Sequence, residues 1–402
     1  MEMISFQEAF EIVQNHLQHY GMEKVPFTRS LGGVLAEDIT ADRDFPAFDR
    51  ATKDGIALYF DAIESQKNEF TIGGVVAAGT PQISLDNKTE CLEIMTGSVV
   101  PEGADTVVMY EDIQITNGIA ILQKKVFKGQ NIHQRASDTE KGEVILPKNT
   151  RISAAEIGIL AAVGTVEVPV QKLPETCLIS TGNELVAVHV TPLTHQIRES
   201  NMHTLHALLA AEQIQPKHHH LEDNKQSIIN ALNELLNTND ILMISGGVSK
   251  GKFDYLPEAL DHLGVKKCFH RVKQQPGKPF WFGIYPKTNT LVFSFPGNPV
   301  STFVNYHLYF KTWLHHSLGL KQVKQQAVLG QPMSNETSLT VFKSVYLKTE
   351  KGVNTVYLVQ ENGSGDLISM GKTDGFIVLK PQCGVVEKGT VADYVPTRTY
   401  KF

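Results

Sequence analysis

The sequence predicts a multidomain chain of α/β plus β class. It has a central α/β domain with a mainly parallel sheet, an inserted β domain and a small C-terminal β-barrel. Three observations carry this. Apolar strands alternate with amphipathic helices from about residue 174 to 322. Short β-branched runs broken by Gly and Pro fill residues 48–140, between two helix-like pieces. After about residue 322 the chain returns to β texture punctuated by glycine turns.

The bulk composition sets the limits. A chain of 402 residues exceeds one ordinary core. With 42% hydrophobic and 20% charged residues it is globular in composition. The net charge is −6 and no Lys/Arg block occurs, so no nucleic-acid footprint is expected. The longest uncharged stretch, 288–310, carries Pro296, Gly297, Asn298 and Pro299 at its middle, which argues against a membrane span. Scattered Cys91, Cys177, Cys268 and Cys383, and an acidic N-terminus without a basic leader, suggest reduced thiols in a cytoplasmic protein.

Taken in order, Ser5 and Glu8 form a capping box ahead of Phe6, Phe10, Val13 and Leu17, a helix expected to run towards Gly21. A second capped helix begins at Ser153-Ala-Ala-Glu156 and ends near Gly164. These pieces, 1–47 and 141–173, are expected to pack together as a discontinuous helical linker domain around the insert of 48–140, where Asn117-Gly118 marks a hairpin. In 174–322 the strands are "TCLIS", "HHHLED", "DILMIS" and "TLVFSF"; the helices start at Ser200, Lys225, Tyr255 and Pro299. The terminal domain, 323–402, has turn signals at Gly363-Ser-Gly365, Asp374-Gly375 and Lys388-Gly389.

In a doubly wound sheet the carboxyl ends of the strands share one edge, so the loops after these strands should face one crevice. They are Ser180-Thr181-Gly182-Asn183-Glu184, the stretch ending in Asp223, Gly246-Gly247 with the later Asp254, and Pro296-Gly297-Asn298-Pro299. The third is one residue short of a P-loop: Gly246, Gly251 and Lys252 are spaced correctly, but Phe253 replaces the hydroxyl residue and Pro257 interrupts the helix. In the fourth, Gly297, an Asn298 N-cap and Pro299 at the first helical position would offer free N–H groups to an anion. Taken alone, Asp223 and Asp254 read as N-caps. Gathered with Glu184 beside an anion loop, three carboxylates require a hard cation such as Mg²⁺. Lys278, in "QQPGKPF", would meet a phosphate. The triplet His218–His220 makes a poor single metal site, because neighbouring strand residues point to opposite faces.

"STGNEL", "ISGGVSKGKFDY", "QQPGKPF" and "FSFPGNPVS" resemble the molybdenum-cofactor-biosynthesis α/β fold. "FPAFDRATKDGIAL", "IMTGSVVPEGADTVVMYED", "NIHQRASD" and "NGSGDLISMGKTDGFIVL" narrow the resemblance to the molybdopterin molybdenumtransferase (MoeA, gephyrin E-domain) family, in order along nearly the whole chain. The resemblance implies a Mg²⁺-dependent transferase that inserts molybdate into adenylylated molybdopterin, releases AMP and acts as a homodimer. It further implies the molybdopterin adenylyltransferase as a partner. On the matching motifs it assigns catalytic roles to Asp54, Thr96, Glu184, Asp223, Asp254 and Lys278, with Glu184, Asp223 and Asp254 on the metal. It assigns substrate contacts to Arg135, Ser180, Thr181, Gly182, Gly246, Gly247, Lys273, Pro296, Gly297, Asn298, Pro299 and Ser364. Lys53, Ile56, His133, Ala136, Ser137, Asn183 and Gln275 depart from the family pattern, and Lys273 is the nearest substitute for the lysine missing at 275.

Overall fold

The computed structural model describes residues 3–64, 67–222, 224–247, 255–321, 323–350 and 352–398. The chain forms two compact units. One comprises 1–23, 32–34 and 169–402; the other comprises 24–31 and 35–168.

In the first unit, helix α1 (Phe6–Gln14) starts at the predicted capping box: Ser5 Oγ accepts from the Glu8 N–H, and the Glu8 carboxylate accepts from the Ser5 N–H. It stops earlier than the apolar spacing suggests, and Leu17 is exposed.

The second unit is built on a six-stranded sheet. Its strands are β1 (Gly55–Leu58), β2 (Glu69–Val76), β3 (Glu90–Ile94), β4 (Thr106–Met109), β5 (Ile113–Thr116) and β6 (Ile119–Leu122), in the order β4-β1-β3-β2-β6-β5. The β5–β6 hairpin turns at Asn117 and Gly118, both at positive φ as a type I′ turn requires. Helix α2 (Ala154–Ala162) follows the second predicted capping box. The two capped helices lie in different units. The reason is the apolar face of α1: Phe6 lies 5.9 Å from the Tyr309 ring and 5.1 Å from that of Phe342, so the aromatic core of its own unit takes it.

That core includes one face of the α/β domain. Its elements are β7 (Thr176–Thr181), α3 (Ser200–Ala211), β8 (Lys217–Leu221), α4 (Lys225–Thr238), β9 (Ile241–Ser245), α5 (Leu256–His262), β10 (Lys266–His270), β11 (Val272–Gln275), β12 (Trp281–Tyr285) and β13 (Thr290–Phe295). The sheet order is β8-β7-β9-β13-β12-β10; the first four strands are parallel and the last two join antiparallel. Every residue of β7, β9 and β13 is buried, as expected where helices cover both faces. One face presents Leu178, Met243 and Phe293 to Met202, Leu205 and Leu209 of α3. The other presents Ile179, Ile244 and Val292 to Ile228 and Leu232 of α4 and Leu260 of α5.

A long helix, α6, then runs from 299 to 317. It is α-helical over Pro299–Asn305, π-helical over Tyr306–Phe310 and α-helical again over Lys311–Ser317. The C-terminal strands β14 (Gln325–Leu329), β15 (Thr340–Glu350), β16 (Val353–Leu358), β17 (Gly375–Leu379) and β18 (Val391–Pro396) close as β15-β16-β14-β18-β17-β15, the predicted barrel. Closure leaves the barrel strands without open edges. Asp374-Gly375 is no surface turn: Asp374 is buried and Gly375 opens β17 against the Tyr394 ring.

His307, inside the π-helical segment, is buried, and its Nδ1–H donates to the Phe303 carbonyl at 2.8 Å. Burial lowers its pKa from 6.5 to about 4. The unfolded chain takes up a proton there that the folded chain refuses. Stability should therefore be unaffected by His307 above pH 6.5 and decline as pH falls from 6.5 towards 4. Urea unfolding across that range should show a shallower acid slope for His307→Gln than for the native chain.

Candidate active site

The parallel register brings the predicted loops to one edge of the sheet. Ser180 is paired with Ser245, and Ser245 with Phe295, so β7, β9 and β13 end level. Leu221 is paired with Thr181, which brings the end of β8 to the same line. Trp281 is paired with Ser294 in the antiparallel strand, so the 276–280 loop that carries Lys278 enters at that edge too.

The loops touch. The Gly246 N–H donates to the Phe295 carbonyl at 3.1 Å. Gly246 and Gly247 both have positive φ, and a Cβ on Gly246 would lie 2.9 Å from Thr181 Oγ1. Two glycines are needed there because the backbone packs against the neighbouring loop in a left-handed conformation. Glu184 folds its exposed carboxylate back over Gly182, where a Cβ would lie 2.5 Å from Oε2.

The start of α6 is arranged differently from expectation. Asn298 occupies the N-cap position, but its side chain caps nothing; Nδ2 donates instead to Ser364 Oγ at 2.8 Å. The Val300 N–H, one of those a helix start offers to an anion, is taken by the Ser364 carbonyl at 3.1 Å. Two candidates from distant motifs, Asn298 and Ser364, are therefore joined directly, and the chain itself satisfies part of the helix terminus.

Lys278 is placed by a buried polar network. Gln274 donates to Asn305 Oδ1 at 2.7 Å and to the Pro276 carbonyl at 3.0 Å; Asn305 donates to the Gly277 carbonyl at 3.3 Å; Tyr309 donates to Gln274. All three side chains are fully buried. Lys273 and Gln275 flank Gln274 on the opposite side of β11, so Lys273 is on the same face as the position where the family carries its lysine.

Asp223 and Asp254 lie outside the described residues. Their alternative reading as N-caps meets two observations. Asn224 caps α4, accepting from the Ser227 N–H at 3.0 Å, and Tyr255 stands at the N-cap position of α5. Of the predicted metal-binding acids only Glu184 is described, and no group of three His, Cys, Asp or Glu side chains suited to a metal occurs among the described residues.

In the other unit, the predicted residues Asp54 and Thr96 meet. Asp54 precedes β1 and Thr96 follows β3, and the antiparallel pairing of Gly55 with Ile94 sets them together. Asp54 Oδ1 accepts from the Thr96 N–H at 2.6 Å and its hydroxyl at 2.8 Å. These bonds, the backbone one first, hold the carboxyl below the ordinary carboxylate value. Gly55 has no room for a side chain, because a Cβ would fall on the Val108 carbonyl. Arg135 grips Asp44 through Nε at 2.7 Å and Nη2 at 2.6 Å, and its N–H donates to Asp49. At the family's missing arginine, His133 accepts from Arg50 at Nδ1 (3.2 Å) and meets Asp138 at Nε2 (2.9 Å), so a guanidinium is still present.

Comparison with known proteins decides the family. Models match in order along the chain: the MoeA N-terminal region (domains I and II) over 4–164, a probable molybdopterin-binding domain over 177–316 and the MoeA C-terminal region (domain IV) over 326–397. A Synechocystis molybdopterin molybdenumtransferase is 38% identical over 381 residues, 94% of this chain and 95% of that one. The chain belongs to the molybdopterin molybdenumtransferase family. A Staphylococcus epidermidis molybdopterin molybdenumtransferase is 28% identical over 99% of the chain and 97% of its own length. A crystal structure of the molybdopterin biosynthesis MoeA protein from Pyrococcus horikoshii superposes with a TM-score of 0.85 at 27% identity, covering 98% of this chain and all of that one. Family membership makes the chain a transferase of molybdenum cofactor biosynthesis, a family whose known reaction is molybdate insertion.

Within this family frame, two contributions are not apparent from the motifs. Asn201 donates to Ser245 Oγ at 2.9 Å and to the Gly297 carbonyl at 2.7 Å, tying two site loops. The Gln274–Asn305–Tyr309 network is the other. Only the asparagine two residues into α3 was a local signal; the network joins positions 31 apart.

Asn305→Leu should leave one Gln274 N–H and the Gly277 carbonyl without their partner and cost about 1–3 kcal/mol in denaturant unfolding. Thr96→Val should raise the Asp54 pKa, read by NMR titration of the carboxyl carbon. Because the folded-state value is depressed, this contact stabilises the fold above the ordinary carboxylate value of 3.8 and loses its effect as pH falls through the lowered one.

Proposed function

We propose that this chain inserts molybdate into adenylylated molybdopterin and releases AMP and mature molybdenum cofactor. The observation that supports this reading is the meeting of the Ser180–Glu184, Gly246–Gly247, Lys278 and Pro296–Pro299 loops at one sheet edge.

The glycine loop brings backbone close to a phosphate without side-chain obstruction, and Ser180, Thr181, Gly297 and Asn298 line its approach. Lys278, held by its buried amide network, stabilises negative charge on the phosphate that departs or on molybdate. Glu184, with Asp223 and Asp254, would supply hard oxygen ligands to a Mg²⁺ ion, whose charge would offset that of the diphosphate. Glu184 is an exposed carboxylate at the right edge, so it fits that ion. No side-chain nucleophile is assigned; positioning and electrostatics carry the rate. Lys273 and Ser364 add substrate contacts in this unit; in the other unit the family motifs give Asp54 and Thr96 catalytic roles and Arg135 a substrate contact. The active form is a cytoplasmic homodimer of four-domain subunits, supplied by the molybdopterin adenylyltransferase.

Purified protein given adenylylated molybdopterin and molybdate should release AMP. Lys278→Ala, Glu184→Gln and Asp254→Ala should each lower that rate by roughly 10²–10³. Unchanged AMP release in a folded variant would reject the catalytic role of the side chain it lacks. ATP-dependent adenylylation of molybdopterin by this chain alone would identify it instead with the preceding enzyme.

A further inference from the structure

The strand β8 divides His218, His219 and His220 between the two faces of the sheet. Leu221, and with it His219, belongs to the α4 and α5 face, so His218 and His220 emerge on the α3 side. There His218 turns to the helix, with Nε2 2.8 Å from His206 Nδ1. His220, exposed and nearer the carboxyl end, turns to the neighbouring strand instead. Its Nδ1 lies 2.8 Å from Ser180 Oγ.

That contact belongs to a row. Ser180 is paired with His220 on one side and with Ser245 on the other. Paired residues of parallel strands share a face, so three polar side chains stand abreast just short of the site loops. Ser180 and Ser245 are buried. Asn201 donates to Ser245 Oγ and to the Gly297 carbonyl, which ties one end of the row to the Pro296–Pro299 loop. Thr181, the residue after Ser180, sets its hydroxyl against Gly246 and Gly247.

The partner of a buried hydroxyl decides what the hydroxyl offers a ligand. If His220 Nδ1 accepts, the Ser180 hydrogen is spent on the imidazole and only oxygen lone pairs remain; if Nδ1–H donates, the Ser180 hydrogen is free. The second arrangement suits a ligand that carries phosphate, because an anion needs donors. We propose that His220 is a positioning residue of the strand-edge site: its Nδ1–H donates to Ser180 Oγ and aims the Ser180 hydroxyl hydrogen at a phosphate oxygen of the bound adenylate. The inference rests on the transferase reading, which brings an adenylate to this edge. It adds a residue that lies outside every motif carrying the family resemblance. His220 acts through Ser180 and strengthens binding in ground state and transition state alike, so its effect falls on KM.

The test uses the full chain with Mg²⁺. AMP is titrated calorimetrically into the native chain and its variants, and AMP release from adenylylated molybdopterin and molybdate is followed in parallel. His220→Leu should weaken AMP binding and raise KM for adenylylated molybdopterin by roughly 2–10-fold, the worth of one hydrogen bond, with little effect on kcat. Asparagine places an N–H close to where histidine carries Nδ1, so His220→Asn should recover most of the loss. In a Ser180→Ala background His220→Leu should cost nothing further, because the hydroxyl it aims is gone. His219→Leu, on the opposite face, should bind AMP as the native chain does. Native affinity in His220→Leu, an equal loss in His220→Asn, additive losses with Ser180→Ala, or no AMP binding by the native chain would each overturn the proposal. The expected variant pattern in AMP binding, without AMP release from the substrate, would sustain the role of His220 and reject the transferase reading.

Discussion

The register of β7, β9 and β13 is the constraint on which the site depends. These strands are buried on both faces, so a slip of one residue would exchange the residues facing α3 with those facing α4 and α5. It would also stagger the strand ends by about 3.3 Å, and the Gly246 N–H would no longer reach the Phe295 carbonyl. Core packing and site geometry are thus fixed by one choice. The buried side chains that prefer a single register are also what keep the glycine loops level.

A second layer of organisation transmits this order to Lys278. Gln274 lies in β11, which pairs with Thr340 and Val341 at the start of β15 in the barrel. Its amide also bonds to Asn305 of α6, and Asn305 bonds to the loop that carries the lysine. A fully satisfied polar network in a low-dielectric interior is geometrically demanding, because each group left unpaired is costly. Within this unit the loop, the long helix and the barrel entrance therefore share one set of hydrogen bonds. The Asn298–Ser364 contact repeats the pattern at the helix start.

What was legible in the sequence was local. The capping boxes at Ser5 and Ser153 involve residues three apart, and the Asn117-Gly118 turn involves two, so each declares itself. The cap of α4 falls on Asn224, one residue past the predicted Asp223, because Asp and Asn serve equally at that position and neighbours compete for it, whereas Tyr255, at the N-cap position of α5, makes no side-chain cap. The strand-end loops were legible as a set because sheet topology puts them on one edge whatever their detail. The family motifs then assigned roles that physics alone left open. Contacts between remote positions stayed hidden. Asn201 with Gly297, Gln274 with Asn305 and His206 with His218 depend on how helices cross the sheet, and no spacing rule encodes that. Amphipathicity likewise says that α1 buries a face, but not against which partner.

The π-helical segment in α6 has its own consequence. A wide turn accommodates one more residue than a regular turn, and one residue corresponds to about 100° of rotation. The segment therefore acts as a phase adjuster between the two halves of the helix. Upstream, Asn305 addresses the Gly277 loop; downstream, Trp313 donates to the His16 carbonyl beyond α1. Straightening the irregular turn into ordinary geometry would leave the helix intact yet point one of those halves at the wrong neighbour. The irregularity is what allows a single rod to serve two unrelated surfaces at once.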